Sequence, residues 1–425
     1  MSNNLVRKIV WELLISEKMP SRLLGERLKQ HGVTAKDQAF AKELLYGCLR
    51  WHDTLQHIAS VYSKKKLKKR EVQWATTMGL YQILAMDSVP PHAAIYETIE
   101  AAKLNLRQQK GAVNAILREV LRGIVTDEDK SFDESAFFIP FKVKFSRPVF
   151  VGKENSLEQH LSQQYSYPQY LVSRWLDRIG LEKTINRLNI FNAPATTWKR
   201  NNLIASPNSA PYEVFISKQG ISITESPGFK EGLWAIQDKT SLESAYLAEV
   251  QPGQTLIDLC AAPGGKSFAI YERLKGSVEI TACDVSATRL QTMEREGNRL
   301  GHDICYKEIR ADGAGVPNKY FDWVFCDVPC SNTGVLHKRP EARLRFNKKS
   351  LHNLESIQNV FRKKILPLVV GPETKILYST CSLEDEENET MLKRIAKQFN
   401  KRITQSVLFE PSSESSGGFA ATLEL

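Results

Sequence analysis

Residues 256–267 read LIDLCAAPGGKS, and this stretch decides the fold. The stretch runs from an apolar strand pattern through small residues into a helix pattern. Because small residues leave room at the carboxyl end of a strand, the backbone can approach a ligand closely there. The string matches neither GxGxxG nor GxxxxGK[ST], which disfavours a dinucleotide site or a phosphate-cradling loop. A tight turn alone would explain the glycines, but the whole string predicts a nucleotide-like ligand.

The residues around this stretch alternate short apolar strands with segments of helical length. This is the βαβ pattern of a doubly wound parallel sheet, and it predicts a Rossmann-like α/β domain over residues 233–425. Two helix patterns between the strands are clear, at 287–300 and 350–368. The predicted strands are 255–260, 278–284, 305–311, 321–327, 375–381, 403–409 and 419–425.

Aspartates stand at the carboxyl ends of four successive predicted strands, at Asp258, Asp284, Asp312 and Asp327. One aspartate at such a position often only caps a helix. Four of them indicate the crevice where sheets of this type bind ligands. Asp284 ends the second strand, where a carboxylate can accept hydrogen bonds from both hydroxyls of a ribose.

Two cysteines follow adjacent predicted strands, in DVPCSNTG (327–334) and YSTCS (378–382). Cys330 and Cys381 are therefore expected where the ligand presents its reactive end, and thiolates are strong nucleophiles. Residue chemistry alone leaves open which thiol attacks first. Other cysteines are predicted to be small buried hydrophobic residues, namely Cys48, Cys283, Cys305 and Cys326.

The N-terminal part of the chain has apolar residues spaced by three and four from Val6 to about Arg122, which predicts an all-helical unit. Within it, residues 64–70 carry six cations in seven positions, and either a solvated loop or a phosphate-contacting segment would explain them. We therefore predict four segments: a helical RNA-binding domain (1–125), a connector (126–156), a small α+β RNA-facing extension (157–232) and the catalytic domain (233–425). Within the extension we expect a helix at 170–188 and strands at 195–203 and 220–224.

The composition excludes several classes of protein. The chain has 425 residues, 42% of them hydrophobic, and a formal charge of +10, which favours a polyanionic partner such as RNA. No stretch reaches the ~18 apolar residues that a membrane span needs. Seven scattered cysteines without a CxxC pair argue against a disulfide framework or a zinc site. We expect a monomer of the reducing cytoplasm, with no metal and no membrane partner.

Three strings, DLCAAPGGKS (258–267), DVPCSNTG (327–334) and STCSLEDEENE (379–389), resemble the RNA cytosine-5 methyltransferases of the Nol/Nop/Sun family. Further strings, DQAFAKELLYGCLRW (37–51), VPPHAAIYETIEAAK (89–103) and GAVNAILREVLR (111–122), resemble the NusB-like helical domain of the bacterial Sun (RsmB) branch. That branch methylates small-subunit ribosomal RNA, and the resemblance covers essentially the whole chain.

The resemblance implies S-adenosylmethionine (AdoMet) as methyl donor, with Asp284 on its ribose, Asp312 near the adenine, and Asp327 near both the methionine end and the target base. It implies that Cys381 attacks C6 of the cytosine and that Cys330 helps to expel the enzyme after methyl transfer. It also implies that the cofactor lies against a loop of seven residues: Cys260, Ala261, Ala262, Pro263, Gly264, Gly265 and Lys266.

Some positions depart from the family pattern or match it less closely. Asn332 stands where the family usually has glycine, and 199–201 is a loose match to its Arg-hydrophobe-Asn motif. Gln237 and Asp238 resemble the element that opens the catalytic domain. A group of basic residues lies beside the RNA in the family, although a mobile surface loop would also explain it: His337, Lys338, Arg339, Arg343 and Arg345.

We therefore expect an AdoMet-dependent RNA cytosine-5 methyltransferase acting on 16S ribosomal RNA through a covalent cysteine–C6 adduct. Two alternatives remain open: the same chemistry on transfer RNA, and a noncatalytic ribosome-assembly factor that keeps the fold for RNA binding. The presence of both Cys330 and Cys381 disfavours the assembly factor.

Overall fold

The computed structural model describes residues 2–16, 19–63, 66–125, 136–215 and 223–425. The chain forms two compact units: unit 1 comprises Met1–Asn192 with Arg339–Asn347, and unit 2 comprises Ala193–Lys338 with Lys348–Leu425. Within the described ranges, no helix is long and apolar enough to cross a membrane. Residues 220–222 of the predicted strand at 220–224 lie outside the described residues, and Ile223–Glu225 forms a 3-10 turn instead.

Unit 1 is mainly helical, as the three-and-four spacing predicts. Thr34 caps one long helix by accepting a hydrogen bond from the Asp37 N–H. The described part of the basic run, 66–70, is exposed apart from half-buried Leu67, which leaves both interpretations of that run open. The elements are α1 (Ser2–Ile15), α2 (Pro20–Gln30), α3 (Ala35–Tyr62), α4 (Arg70–Ala85), α5 (Pro91–Leu106), α6 (Lys110–Gly123), β1 (Ile124–Val125), β2 (Phe137–Phe138), β3 (Val143–Phe145), α7 (Leu157–Tyr165) and α8 (Gln169–Asn192).

The helices of unit 1 share one hydrophobic core. Gly47 lets α3 and α4 approach closely, since a Cβ there would lie 1.9 Å from the ring of Tyr81. Buried Gln82 joins three helices: it accepts from Arg7 Nε on α1 at 2.7 Å and donates to Thr98 Oγ1 on α5 at 2.9 Å. The side chains of Arg7, Gln82 and Thr98 are thus paired inside an apolar interior.

Helices α7 and α8 pack with the N-terminal helices rather than with the extension to which the sequence assigned them. Thr54 on α3 donates from N and Oγ1 to Ser166 Oγ and Gln163 O, at 3.3 and 2.5 Å. The predicted helix at 170–188 extends over Gln169–Asn192, with a break in helical geometry at Gly180. The structure groups both helices with unit 1. The division of the chain into four segments stays a prediction.

Arg339–Asn347 also belongs to unit 1, although the sequence placed it in the catalytic domain. Fully buried Arg343 explains this assignment, because its guanidinium donates to the carbonyl oxygens of Arg50, Ser166 and Phe191 at 3.1–3.3 Å. Burial lowers the pKa of Arg343. The Arg343 side chain is therefore neither part of a mobile surface loop nor in direct contact with RNA.

Unit 2 begins with a small antiparallel sheet, in which Trp198–Asn201 (β4) lies between Tyr212–Val214 (β5) and Trp234–Ile236 (β6). The predicted strand at 195–203 is shorter, and a strand at Trp234–Ile236 joins this sheet although the sequence placed it in the catalytic domain. The elements of this part are β4 (Trp198–Asn201), β5 (Tyr212–Val214), α9 (Pro227–Lys230), β6 (Trp234–Ile236) and α10 (Lys239–Tyr246).

The main sheet of unit 2 contains all seven predicted strands. Across the sheet they lie in the order Arg402–Phe409 (β12), Gly418–Glu424 (β13), Lys375–Thr380 (β11), Trp323–Asp327 (β10), Thr255–Asp258 (β7), Glu279–Asp284 (β8) and Cys305–Glu308 (β9). The five strands from β11 to β9 are parallel, and β13 runs antiparallel to both β11 and β12. The elements are β7 (Thr255–Asp258), α11 (Gly265–Arg273), β8 (Glu279–Asp284), α12 (Ala287–Leu300), β9 (Cys305–Glu308), β10 (Trp323–Asp327), α13 (Lys348–Val360), β11 (Lys375–Thr380), α14 (Glu389–Phe399), β12 (Arg402–Phe409) and β13 (Gly418–Glu424).

Helices cover both faces of this sheet, and neighbouring strand residues enter separate cores. Ile257 and Val324 point into one core, whereas Leu256 and Phe325 point into the other, as strand alternation requires. The predicted helix at 350–368 is α-helical only as far as Val360 and continues as π and 3-10 turns. Pro367 lacks the N–H that would continue the α-helical hydrogen bonds. The strand order reverses between β7 and β10, which places the ligand crevice at their carboxyl ends.

Candidate active site

The loop after β7 is fixed by its own aspartate. Asp258 is buried and accepts from the Cys260 N–H at 3.3 Å and from Ser267 Oγ at 2.6 Å. The carboxylate therefore joins the beginning of the loop to the first turn of α11. Burial raises the pKa of Asp258 to about 6.

The middle of the loop is held by backbone bonds and by close packing. Ala261 N–H donates to the Cys283 carbonyl on β8 at 2.8 Å, and the Arg289 guanidinium donates to the Ala262 carbonyl. Gly264 has φ 103°, and a Cβ there would lie 2.4 Å from the ring of Phe268. Glycine is therefore required at this position both by the backbone conformation and by the space.

Asp284 ends β8 as predicted and is 2% exposed. Its Oδ1 accepts from the Ser286 N–H at 3.0 Å. Its Oδ2 lies 3.1 Å from Arg289 Nη1 but accepts no hydrogen bond of good geometry from the described residues. This oxygen therefore keeps acceptor capacity for a ligand hydroxyl.

Asp312 is placed differently from the other three aspartates. Strand β9 ends at Glu308, so Asp312 lies in the following turn rather than at the strand end. There it accepts from the Ala314 N–H at 3.1 Å and lies 3.5 Å from Arg310 in an exposed ion pair. A role for Asp312 near an adenine stays a prediction.

Lys266 and Asp327 join the loop to the end of β10. Lys266 Nζ lies 2.8 Å from Asp327 Oδ2, and Ser379 Oγ donates to Asp327 Oδ1 at 2.9 Å. Burial acts to lower the pKa of Lys266, but the neighbouring Asp327 carboxylate outweighs it, so that the pKa is raised. This lysine is therefore a cation at neutral pH, paired with the carboxylate at the end of β10.

The two predicted thiols meet. Cys330 Sγ lies 3.1 Å from Cys381 Sγ, although the residues are 51 positions apart in the chain. A hydrogen bond with Cys381, together with burial, raises the pKa of Cys330 well above its usual range. Of the cysteines predicted to be buried, Cys48, Cys283 and Cys326 are buried, whereas Cys305 is exposed.

Buried Glu387 supports the Cys330 loop, and the sequence analysis did not single it out. Its carboxylate accepts from the Ser331 N–H at 2.9 Å and from Ser331 Oγ at 2.5 Å. Gln358 Nε2 donates to the same carboxylate at 3.2 Å. Burial raises the pKa of Glu387. The sequence does show an acidic run after Cys381, but this run does not indicate which of its acidic side chains is buried.

Matches to known families and proteins agree with this geometry. Residues 245–422 match the family model for 16S rRNA methyltransferase RsmB/F, and residues 7–122 match the NusB family. The "Probable ribosomal RNA small subunit methyltransferase B" of Synechocystis is 30% identical over 398 residues, which are 87% of this chain and 83% of the relative. The chain belongs to the RsmB/F family of 16S rRNA methyltransferases.

Other relatives agree with the RsmB/F assignment. The "Probable ribosomal RNA small subunit methyltransferase B" of Bacillus subtilis is 27% identical over 92% of this chain and 88% of the relative. The crystal structure of PH0851 superposes with a TM-score of 0.75 at 19% identity, covering 100% of this chain and 99% of that chain, which shows a common fold. The predicted family, enzyme class, NusB-like helical domain and Rossmann-like methyltransferase domain are thereby confirmed.

Two elements that the RsmB/F resemblance placed beside the RNA have structural partners inside unit 2. Arg200 is 2% exposed and pairs with Glu272 at 2.7 and 2.9 Å, while donating to the Gly265 carbonyl at 3.2 Å. Lys338 pairs with Asp238, which also accepts from Ser416 Oγ at 2.6 Å. The first pair joins β4 to α11, and the second joins Asp238, at the beginning of α10, to the segments that carry Lys338 and Ser416.

Proposed function

We propose that this chain transfers a methyl group from AdoMet to C5 of a cytosine in small-subunit ribosomal RNA. The observation that carries the proposal is the 3.1 Å approach of Cys330 and Cys381 at the ends of adjacent parallel strands. Membership of the RsmB/F family supports the ribosomal substrate. We expect the enzyme to act as a monomer in the reducing cytoplasm, where its thiols stay reduced.

The residues of the loop after β7 fit a nucleoside cofactor. Asp284 Oδ2 is a buried acceptor with capacity to spare, which suits a ribose hydroxyl. At Gly265 a Cβ would lie only 3.2 Å from the side chain of Gln237, so the glycine lets Gln237 pack against this end of the loop. We assign binding to residues 260–266 with Asp284, Asp312 and Asp327. Bound AdoMet would supply an electrophilic methyl group.

Cys381 activates the base by covalent addition. C5 of cytosine is a poor nucleophile until a thiolate bonds to C6 and the electron pair of the C5–C6 double bond moves onto C5. Lys266 is the cation that favours a thiolate here, and Asp327 can interact with N3 and the amino group during the addition. The base must leave its stack to expose C6, so we expect a single-stranded or looped target.

Cys330 then completes the reaction as a base. While Cys381 is a thiolate, Cys330 keeps its proton, because the neighbouring charge and hydrogen bond raise its pKa. Once Cys381 becomes a neutral thioether on C6, its negative charge no longer raises the pKa of Cys330, and Cys330 can ionise more easily. It can then take the C5 proton. The C5–C6 double bond reforms, and the C6–sulfur bond breaks to release Cys381 as a thiolate.

Transfer of label from methyl-tritiated AdoMet tests this function. Naked small-subunit ribosomal RNA and bulk transfer RNA are compared, and digestion to nucleosides identifies the product. We expect 5-methylcytidine from the ribosomal RNA. Label on transfer RNA alone would overturn the substrate, and RNA binding without label on either would favour an assembly factor.

A further inference from the structure

Asn332 contacts both cysteines of the thiol pair. It has φ 63°, a left-handed conformation that asparagine tolerates better than most residues. Its side chain reaches both cysteines: Nδ2 donates to the Cys330 carbonyl at 2.7 Å, and Oδ1 accepts from Cys381 Sγ at 3.3 Å. One side-chain amide therefore links the backbone of one cysteine to the sulfur of the other.

The orientation of this amide follows from chemistry. The Cys330 carbonyl can only accept a hydrogen bond, so it must face the Nδ2 donor of Asn332. The opposite atom, Oδ1, then faces Cys381 and can only accept. A hydrogen bond accepted from a neutral thiol favours the protonated form over the thiolate.

This orientation also settles the direction of the contact between the sulfurs. A thiol has one proton, and that of Cys381 is directed at Asn332 Oδ1. In the 3.1 Å sulfur–sulfur contact, Cys330 must therefore be the donor. The thiol of Cys330 thus donates to Cys381 Sγ, and the thiol of Cys381 donates to Asn332 Oδ1. The amide of Asn332 in turn donates to the Cys330 carbonyl.

We propose that Asn332 is a positioning residue that holds Cys381 as an oriented thiol in the enzyme without RNA, and so sets the pH above which the nucleophile is ready to attack. The assignment of Cys381 as nucleophile rests on the proposed function. Lys266 from α11 also acts on Cys381 and favours the thiolate. Asp327 from β10 pairs with that lysine. Glu387 acts on Cys330 from the far side of the Cys330 loop.

Alkylation of the full-length protein by iodoacetamide, without RNA or AdoMet, tests the proposal. The reaction is followed from pH 6 to 10, and mass spectrometry of peptides separates Cys381 from the other cysteines. In Asn332→Gly we expect the pH midpoint for Cys381 to fall by ~0.5–1 unit, the size of one hydrogen bond. In Asn332→Asp the added negative charge should raise the midpoint by a similar amount.

Asn400→Gly is the matched control. Asn400 is another asparagine in the left-handed conformation, with φ 50°, and it follows the last turn of α14. We expect no shift of the Cys381 midpoint in this variant. An unchanged or higher midpoint in Asn332→Gly would overturn the proposal. If that variant did not fold, as judged by circular dichroism, a midpoint in Asn332→Asp equal to or below that of the wild type would overturn it.

Methyl transfer by the same variants separates this proposal from the proposed function. If Asn332 acts as described, the acid side of the kcat/KM–pH profile, which reports groups of the enzyme without RNA, moves with the alkylation midpoint. A merely structural role would lower kcat/KM at every pH. If the wild type methylates no RNA, the proposed function fails. The alkylation result still decides the role of Asn332.

Discussion

The two sides of the site are built differently. On the cofactor side, 258–267 and 284–289, the carboxylates are held by near neighbours, as in the bonds from Cys260 N–H to Asp258 and from Ser286 N–H to Asp284. On the thiol side, 330–334 and 379–388, the contacts join residues about fifty positions apart, such as Cys330 with Cys381 and Ser331 with Glu387. Substitutions should therefore separate cofactor binding from chemistry.

Removal of the thiols should have the largest effect. Cys381→Ala is expected to lower methyl transfer by at least ~1,000-fold, because without the adduct C5 stays unreactive. In the Cys330→Ala variant, Cys381 should still attack C6 of the cytosine, but the C6–sulfur bond should not break. A covalent complex with labelled RNA should therefore accumulate and be visible on denaturing gels. AdoMet affinity should stay within about twofold in both variants, because the cofactor side is intact.

Exposed Cys305 offers the control for these variants, since Cys305→Ala removes a thiol away from the pair. It should methylate at the wild-type rate. An adduct in Cys381→Ala but not in Cys330→Ala would reverse the two roles. Loss of AdoMet binding in either cysteine variant would break the proposed separation of the two sides.

A disrupted cofactor side should show the opposite pattern. Asp284→Ala removes the buried carboxylate whose Oδ2 keeps acceptor capacity, and we expect a ~10–100-fold rise in the Kd of AdoMet, measured by calorimetry. Adduct formation by Cys330→Ala should then be preserved when Asp284→Ala is added at saturating AdoMet. An unchanged Kd would remove Asp284 from the cofactor site.

The same contrast explains what the sequence could predict. All seven strands and the aspartates at 258, 284 and 327 were recognisable, because strand patterns and local hydrogen bonds depend on neighbouring residues. The burial of Arg343 could not be predicted from the sequence, because the carbonyl oxygens that accept its hydrogen bonds belong to residues far away in the chain, Arg50, Ser166 and Phe191. The role of Glu387 likewise depends on a partner 56 positions away, Ser331.

Glu387 supports the thiol side, and we expect its removal to lower activity by an intermediate amount. Glu387→Ala leaves the Ser331 N–H and hydroxyl without their acceptor, and we expect kcat to fall ~10-fold or more while the KM for AdoMet changes little. Glu387→Gln keeps one acceptor oxygen and should recover part of kcat. Exposed Glu389→Ala serves as control, since its ion pair with Lys393 contributes little. A rise in KM alone would place Glu387 with the cofactor side instead.

The smallest effect is expected from the charge of Asp258, and it should appear in stability. Burial raises the pKa of Asp258 from 3.8 to about 6, so the folded chain binds this proton more tightly than the unfolded chain. Its contribution to stability is fully present below pH 4 and is lost as the pH rises through 6. The difference in pKa corresponds to at most ~3 kcal/mol, and ~1–3 kcal/mol is expected.

Asp258→Asn keeps an oxygen to accept from Ser267 Oγ but cannot ionise. Without AdoMet, the melting temperature of this variant relative to wild type should therefore increase between pH 4.5 and pH 7.5. Comparison at equal pH cancels the other titrating groups, which are common to both proteins. A difference independent of pH would mean that Asp258 is ionised throughout this range, stabilised by its bonds to Cys260 and Ser267. The cofactor side would then be a preformed anionic site rather than one that takes up a proton near pH 6.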